Sequence, residues 1–347
     1  MGHNDTSTTV RDIQFMTASR SSAITRRLAI AALAAALGTG FAAPQALAQE
    51  KVTYLFPAPP ILPAFAPLQL AKGKGYFKDA GLDVDFQVAR GGVEVAKMVG
   101  AGNAPIGGIV GDGPIMVRAN GVPVKIVALF GGKGFMQTVV REDAGIEKPA
   151  DLKGKTLTVL SFQDTTFYAL IGLLASAGLT QNDVNVQQAG PTGVWESVAT
   201  GKSQGMAGVP DWLALVQATG TKVKVIPTDQ YFPHLAQGIA VSDEMIKKNP
   251  EMIQKFVTAA MRGMKDVMDN PEQAAADFVK FVPTWQGKED VVKNALNYYA
   301  KHVYVDQKKL GEINPERLAK LQDFYLEKGF IQKKTPVEEL YSNQFIK

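Results

Sequence analysis

The sequence predicts an α/β protein of two lobes, each a mostly parallel sheet flanked by helices, with a ligand cleft between the lobes. Three observations lead there. Strand-like and helix-like segments alternate from Lys51 to about residue 240, the alternation repeats itself with an offset of roughly one hundred residues, and beyond residue 242 only helical patterning remains.

The first 48 residues stand apart. Arg26-Arg27 precede an apolar run from Leu28 to Leu37, and small residues lead to Ala46-Leu47-Ala48, the layout of an export signal cleaved after Ala48. The apolar run is about half the ~20 residues that a spanning helix needs. The twin arginine fits the twin-arginine route as well as the general secretory one, and either predicts a periplasmic protein. Removing this segment takes away four Lys/Arg and two Asp/Glu, which lowers the formal net charge from +4 to about +2. With 46% apolar and 20% charged residues and no clustered basic face, the chain reads as a globular protein that does not bind nucleic acid. It has no cysteine, which excludes disulfides, thiolate metal sites, a cysteine nucleophile and a lipidated N-terminal cysteine.

The repeat organises the rest. Residues 51–56 (KVTYLF) match 155–160 (KTLTVL), Ala80-Gly81-Leu82 matches Ala177-Gly178-Leu179, Gly92-Val93 matches Gly193-Val194, and 121–127 (GVPVKIV) match 220–226 (GTKVKVI). The stretch Gly73-Lys74-Gly75 lacks the third glycine of a nucleotide-binding loop and follows a helix rather than a strand. Gly81 and Gly178 are instead expected to stop a helix in the left-handed conformation before the next strand. The expected division is a leader over 1–48, a first lobe over 49–137 and 241–347, and a second over 138–240. Asn249-Pro250 and Asn270-Pro271 divide the C-terminal helices, which should pack back on the first lobe.

In open α/β sheets ligands bind at the loops beyond the carboxyl ends of strands. The repeat nominates those loops in pairs: Ala58, Pro59 and Pro60 with Ser161, Phe162, Asp164 and Thr165; Arg90 and Gly92 with Thr192; Asp112 and Gly113 with Asp211 and Trp212; and Phe232 near the second crossing. Asp164 and Thr192 stand at helix starts, where free N–H groups favour an accepting ligand group, although such residues also serve as ordinary caps. The aromatic side chains suit a flat or apolar solute if they line the cleft and serve as core if they do not. Asp211 is the carboxylate expected to accept a ligand N–H.

The segments LAKGKGYFKDAGLDVDF, GGVEVAKMVGAGNAPIGG, ANGVPVKIVA, PADLKGKTLTV, LLASAGLTQNDV and KKNPEMIQKFVTAAMRGM resemble, in order over about residues 50–280, the periplasmic solute-binding proteins of ABC importers for sulfonates, taurine, nitrate and thiamine-pyrimidine precursors. The resemblance implies a type II-like periplasmic binding fold and a monomer that closes over a small solute and delivers it to an inner-membrane permease with its ATPase. It also implies no catalysis and no cofactor or metal. One departure is visible: in GKSQGMAGVPDW, Gly205 and Ala207 stand where relatives often carry Gly-x-x-Asp-Ala, so Asp211 becomes the candidate substitute. A related fungal pyrimidine-synthesising enzyme has a cysteine-rich motif that this chain lacks.

Two other functions remain open on the residues alone. A secreted enzyme would have to use His234 or His302, which no G-x-S-x-G or H-E-x-x-H motif accompanies. A solute sensor presenting its closed form to a receptor would use the same cleft. Within the transport reading, a sulfonate or taurine and a pyrimidine-like or aromatic heterocycle stand level.

Overall fold

The computed structural model describes residues 49–162 and 164–347, and the expected export signal lies outside the described residues. The first lobe opens with β1 (Glu50–Phe56), α1 (Ala66–Gly73), β2 (Leu82–Val88), α2 (Gly92–Gly100), β3 (Ile106–Val110), α3 (Gly113–Arg118) and β4 (Val124–Leu129). The chain then crosses to the second lobe through β5 (Gln137–Arg141). There it forms β6 (Thr156–Val159), α4 (Thr165–Ser176), β7 (Asn185–Gln188), α5 (Gly190–Ala199), β8 (Gly205–Gly208), α6 (Pro210–Ala218) and β9 (Val223–Ile226). It returns through β10 (Gln237–Ser242) into the helices α7 (Pro250–Asp269), α8 (Pro271–Phe281), α9 (Glu289–His302) and α10 (Pro315–Glu327).

The two five-stranded sheets run β2-β1-β3-β10-β4 and β7-β6-β8-β5-β9, the same order once the repeat is superposed. In each, the strand that runs antiparallel to its neighbours has come from the other half of the repeat: β10 pairs with β3 and β4, and β5 pairs with β8 and β9. The lobes thus exchange their fifth strands. The expectation of mostly parallel sheets holds for the other four strands of each. The second crossing comes earlier than the expected boundary at 240, because β10 is already in the first sheet at Gln237, paired with Val110.

Gly81 and Gly178 are the predicted helix stops, with φ of 79° and 70°, a region costly for a residue with a Cβ. The carbonyl of Gly81 then accepts from the Glu50 N–H at 2.9 Å, fixing the start of β2 beside β1.

The C-terminal helices pack on the first lobe as expected. Phe256 of α7 stacks on Tyr54 of β1 with ring centroids 5.3 Å apart. Where α7 crosses α1, a Cβ on Gly263 would lie 1.9 Å from the Pro67 carbonyl oxygen, so the closeness of the two helices depends on glycine. The tail also reaches the second lobe: Tyr298 of α9 packs beside Val139, Trp212 and Val216, and Phe330 meets Tyr168 of α4 edge-on at 5.4 Å. No helix among the described residues is long and apolar enough to cross a membrane.

Candidate functional site

The loops at the carboxyl ends of the parallel strands meet across the lobes. The Ala64 N–H, in the loop after β1, donates to Asp211 Oδ1 at 2.8 Å, and Tyr299 Oη of α9 donates to Asp211 Oδ2 at 2.8 Å. Asp211 begins α6 in the second lobe, so one carboxylate holds a first-lobe loop and a C-terminal helix together. It is 1% exposed, and burial raises its pKa against the opposing effect of Tyr299 and Ala64. Both oxygens are already engaged. The acceptor expected for a ligand N–H is therefore a clasp between lobes.

Asp112 holds the equivalent place in the first lobe, just after β3. Tyr325 Oη of α10 donates to its Oδ2, whereas its Oδ1 is buried with no hydrogen-bond partner. Burial again raises its pKa, and Tyr325 opposes this. A buried oxygen without a donor costs free energy until something supplies one.

The other nominated residues divide by burial. Pro59, Arg90, Phe162 and Thr192 are exposed on these sheet edges, with Ala58, Pro60, Gly92, Gly113, Ser161 and Thr165 partly so. Phe162 is 43% exposed, and two further exposed apolar residues of the first lobe, outside the nominated set, are Ile61 at 42% in the loop after β1 and Val93 at 49% in the first turn of α2. Trp212 and Phe232, expected at the ligand, belong instead to the cores: Trp212 packs with Val139 and Met206, while Phe232 lies against Phe324 at 4.7 Å. Bulky rings flanking a tight crossing fill space between helices, and alternation alone does not separate that role from lining a cleft. Asp164 is a helix cap, accepting from Thr166 N at 2.9 Å and from its hydroxyl.

His234 lies at the return crossing and is fully buried. Its Nε2 accepts from Met136 N–H at 3.0 Å, so its Nδ1 carries the proton and donates to the Phe232 carbonyl at 3.1 Å. Burial pushes its pKa down to about 4, keeping it neutral. A Cβ on Gly134 would meet the imidazole at 2.3 Å, so the first crossing segment approaches the ring as only glycine can. Beside it Asp229 accepts from Gly134 N–H at 2.8 Å and from Arg317, whose guanidinium also donates to the His234 carbonyl. The histidine joins the two crossing segments.

A concavity of about 600 Å³ lies on the second lobe alone, bounded by Phe162, Phe167, Gln181, Asn182 and residues 184–186, and it lacks a wall from the first lobe. It is not a place that both lobes grip.

The model of the family described as NMT1/THI5 like matches residues 62–274, more than half of the chain. The chain belongs to the NMT1/THI5-like family. Among relatives, the riboflavin-binding protein RibY of Chloroflexus aurantiacus is 26% identical over 292 residues, 81% of this chain and 82% of that one. The 4-amino-5-hydroxymethyl-2-methylpyrimidine phosphate synthase THI13 of Saccharomyces cerevisiae is 24% identical over 254 residues, 68% of this chain and 73% of that one. The fold is that of the periplasmic aliphatic sulphonate binding protein SsuA of Escherichia coli, with a TM-score of 0.69 at 17% identity over 85% of this chain and 99% of that one. This NMT1/THI5-like chain therefore has the two-lobed α/β architecture of periplasmic binding proteins, and its family includes proteins named as binders and proteins named as enzymes.

Proposed function

We propose that this protein is the extracytoplasmic solute-binding component of an ABC importer, which closes its two lobes over one small organic solute and delivers it to a permease and its ATPase. The observation that carries the reading is the pair of sheets with exchanged fifth strands, whose ligand-side loops meet through Ala64 and Asp211. Two chain crossings leave each lobe internally complete, so the lobes can move about the crossings while each keeps its own sheet. Export, by either secretory route, and a monomeric state belong to the same proposal.

The solute best suited to this opening is a flat aromatic or heterocyclic molecule bearing an N–H, rather than a bare oxyanion. Phe162 offers exposed apolar surface on the loop after β6 and Ile61 on the loop after β1, and Asp112, next to Gly113, has a buried carboxylate oxygen without a hydrogen-bond donor. That oxygen repels an anion and accepts a donor. The name of RibY, a binder of a flat heterocycle, agrees with this choice. The alkanesulfonate reading draws on fold likeness to SsuA, and Arg90 is the cation it would use.

We propose no catalysis at this site. The enzyme reading needs a reactive histidine, yet both ring nitrogens of His234 are engaged with backbone groups, and His302 is exposed on α9. Thermal-shift measurements with riboflavin, an aminopyrimidine, taurine and an alkanesulfonate test the assignment. Stabilisation by a heterocycle, weakened by Phe162→Ala, is expected. Stabilisation by the sulfonates alone contradicts the solute class, and turnover of any of these compounds contradicts the binding-protein reading.

A further inference from the structure

The contact between Ala64 and Asp211 joins two bodies whose parts are each fixed on their own side. In the loop after β1, Trp285 Nε1 donates to the Ile61 carbonyl at 2.7 Å and Gln69 Nε2 donates to the Pro60 carbonyl at 2.9 Å. Phe65, 4% exposed, meets Phe56 of β1 edge-on at 4.7 Å. The Ala64 N–H therefore travels with the first lobe. So does Tyr299, which lies with Val292, Ala295 and Leu296 of α9 in the core of that lobe and stacks on Tyr304 at 5.5 Å. Asp211 sits in the first turn of α6, where Trp212, Leu213 and Val216 pack with Met206 in the core of the second lobe. A rotation that parts the lobes here has to stretch both hydrogen bonds to this one carboxylate.

We propose that Asp211 is a latch that keeps the lobes closed while the cleft is empty, so that solute exchange waits on its release. Hydrogen bonds from a hydroxyl and a backbone N–H to a carboxylate shielded from water are among the stronger noncovalent contacts in a protein. Neither donor comes from a solute, so the closed form needs none to be held. When the empty protein is already closed, a contact made alike with and without solute cancels from the affinity. It sets instead how often the cleft opens, and thus both the entry and the exit of solute. That the opening admits a solute rests on the importer reading; the latch itself does not.

The chain has no cysteine, so nitroxide labels can be placed uniquely through Gln87→Cys on β2 and Gln187→Cys on β7. Both residues are exposed, and both strands stand at the ends of their sheets away from the crossing strands, where a rotation of the lobes moves them most. Distances measured by pulsed double electron resonance without solute should show a single population in the otherwise unaltered protein. Tyr299→Phe keeps the ring and its stack on Tyr304 and removes only the hydroxyl; it should raise a longer-distance population about tenfold. Asp211→Ala should raise it further, and Tyr299→Phe decides alone if that variant does not fold. The proposal is overturned if the longer distance already predominates in the unaltered protein, or if a folded variant leaves the distribution unchanged. For whichever of riboflavin, the aminopyrimidine, taurine or the alkanesulfonate stabilises the protein, association and dissociation should both quicken about tenfold in Tyr299→Phe at an equal dissociation constant. Weaker binding at an unchanged association rate overturns the latch by making Tyr299 part of the hold on the solute. Failure of the importer reading shows separately, as absence of binding by all four compounds, and leaves the interlobe distances to decide on the latch.

Discussion

Asp112 and Asp211 occupy the same point of the repeat, just beyond the third strand of each lobe, yet they are used differently. Asp211 spans the lobes, with a donor on each oxygen from Ala64 and Tyr299. Asp112 stays with its own lobe and the tail, held through one oxygen by Tyr325 and bare on the other. The same point of the repeat thus carries one carboxylate that holds the lobes together and one that is held by the tail through a single oxygen.

Removing the fully engaged carboxylate should have the largest effect. Asp211→Ala leaves the Ala64 N–H and the Tyr299 hydroxyl unpaired in the interior, and should destabilise the protein by about 2–5 kcal/mol in denaturant unfolding. A loss below about 1 kcal/mol would erase the contrast with Asp112.

Next in size is the crossing that the two lobes share. A histidine whose folded pKa lies at about 4, below its ordinary 6.5, binds fewer protons folded than unfolded over that interval. Stability from this group is therefore complete above about pH 6.5 and is lost as the pH falls towards 4, by about 3 kcal/mol in all. The two buried aspartates act in the opposite sense, since their raised values favour the folded state as acid is added. His234→Gln should flatten the fall between pH 6.5 and 4 in melting temperature against pH, and an unchanged profile would assign the acid sensitivity elsewhere.

A smaller effect separates a cap from a ligand contact. Asp164→Ala should cost about 1 kcal/mol of stability by uncapping α4. Solute affinity measured by calorimetry should change little, and a large affinity loss with no loss of stability would return Asp164 to the site.

Asp112→Asn should cost least in stability, less than about 1 kcal/mol, because the amide can still accept from Tyr325 and no longer buries a charge. Its effect belongs on solute binding, where an N–H donor would lose a charged acceptor. Chemical denaturation and solute titration on this one variant separate the two roles.

The paired loops and the repeat were legible because strand, helix stop and strand recur in order, and Gly81 and Gly178 mark the joins by chemistry. The exchange of β5 and β10 was not. Both are short apolar runs, and periodicity says which residues face a core but not which sheet supplies the partner. The clasp was hidden for a similar reason: nothing in the pattern of the tail helices sets Tyr299 and Tyr325 apart, and only folding brings them to Asp211 and Asp112, 88 and 213 residues away. Aspartate beside a helix start is also ambiguous by nature, as Asp164 shows, since capping and ligand binding ask for the same acceptor.

The lobes are proposed to close over a flat solute bearing an N–H, recognised at Asp112 and Phe162. Mass spectrometry of the small molecules released when the purified protein is denatured tests it most directly. An aromatic or heterocyclic compound with an N–H donor is expected, one that restores thermal stabilisation when added back and does so less well with Asp112→Asn. Release of an alkanesulfonate or an inorganic oxyanion that binds Asp112→Asn as tightly as the unaltered protein would contradict it.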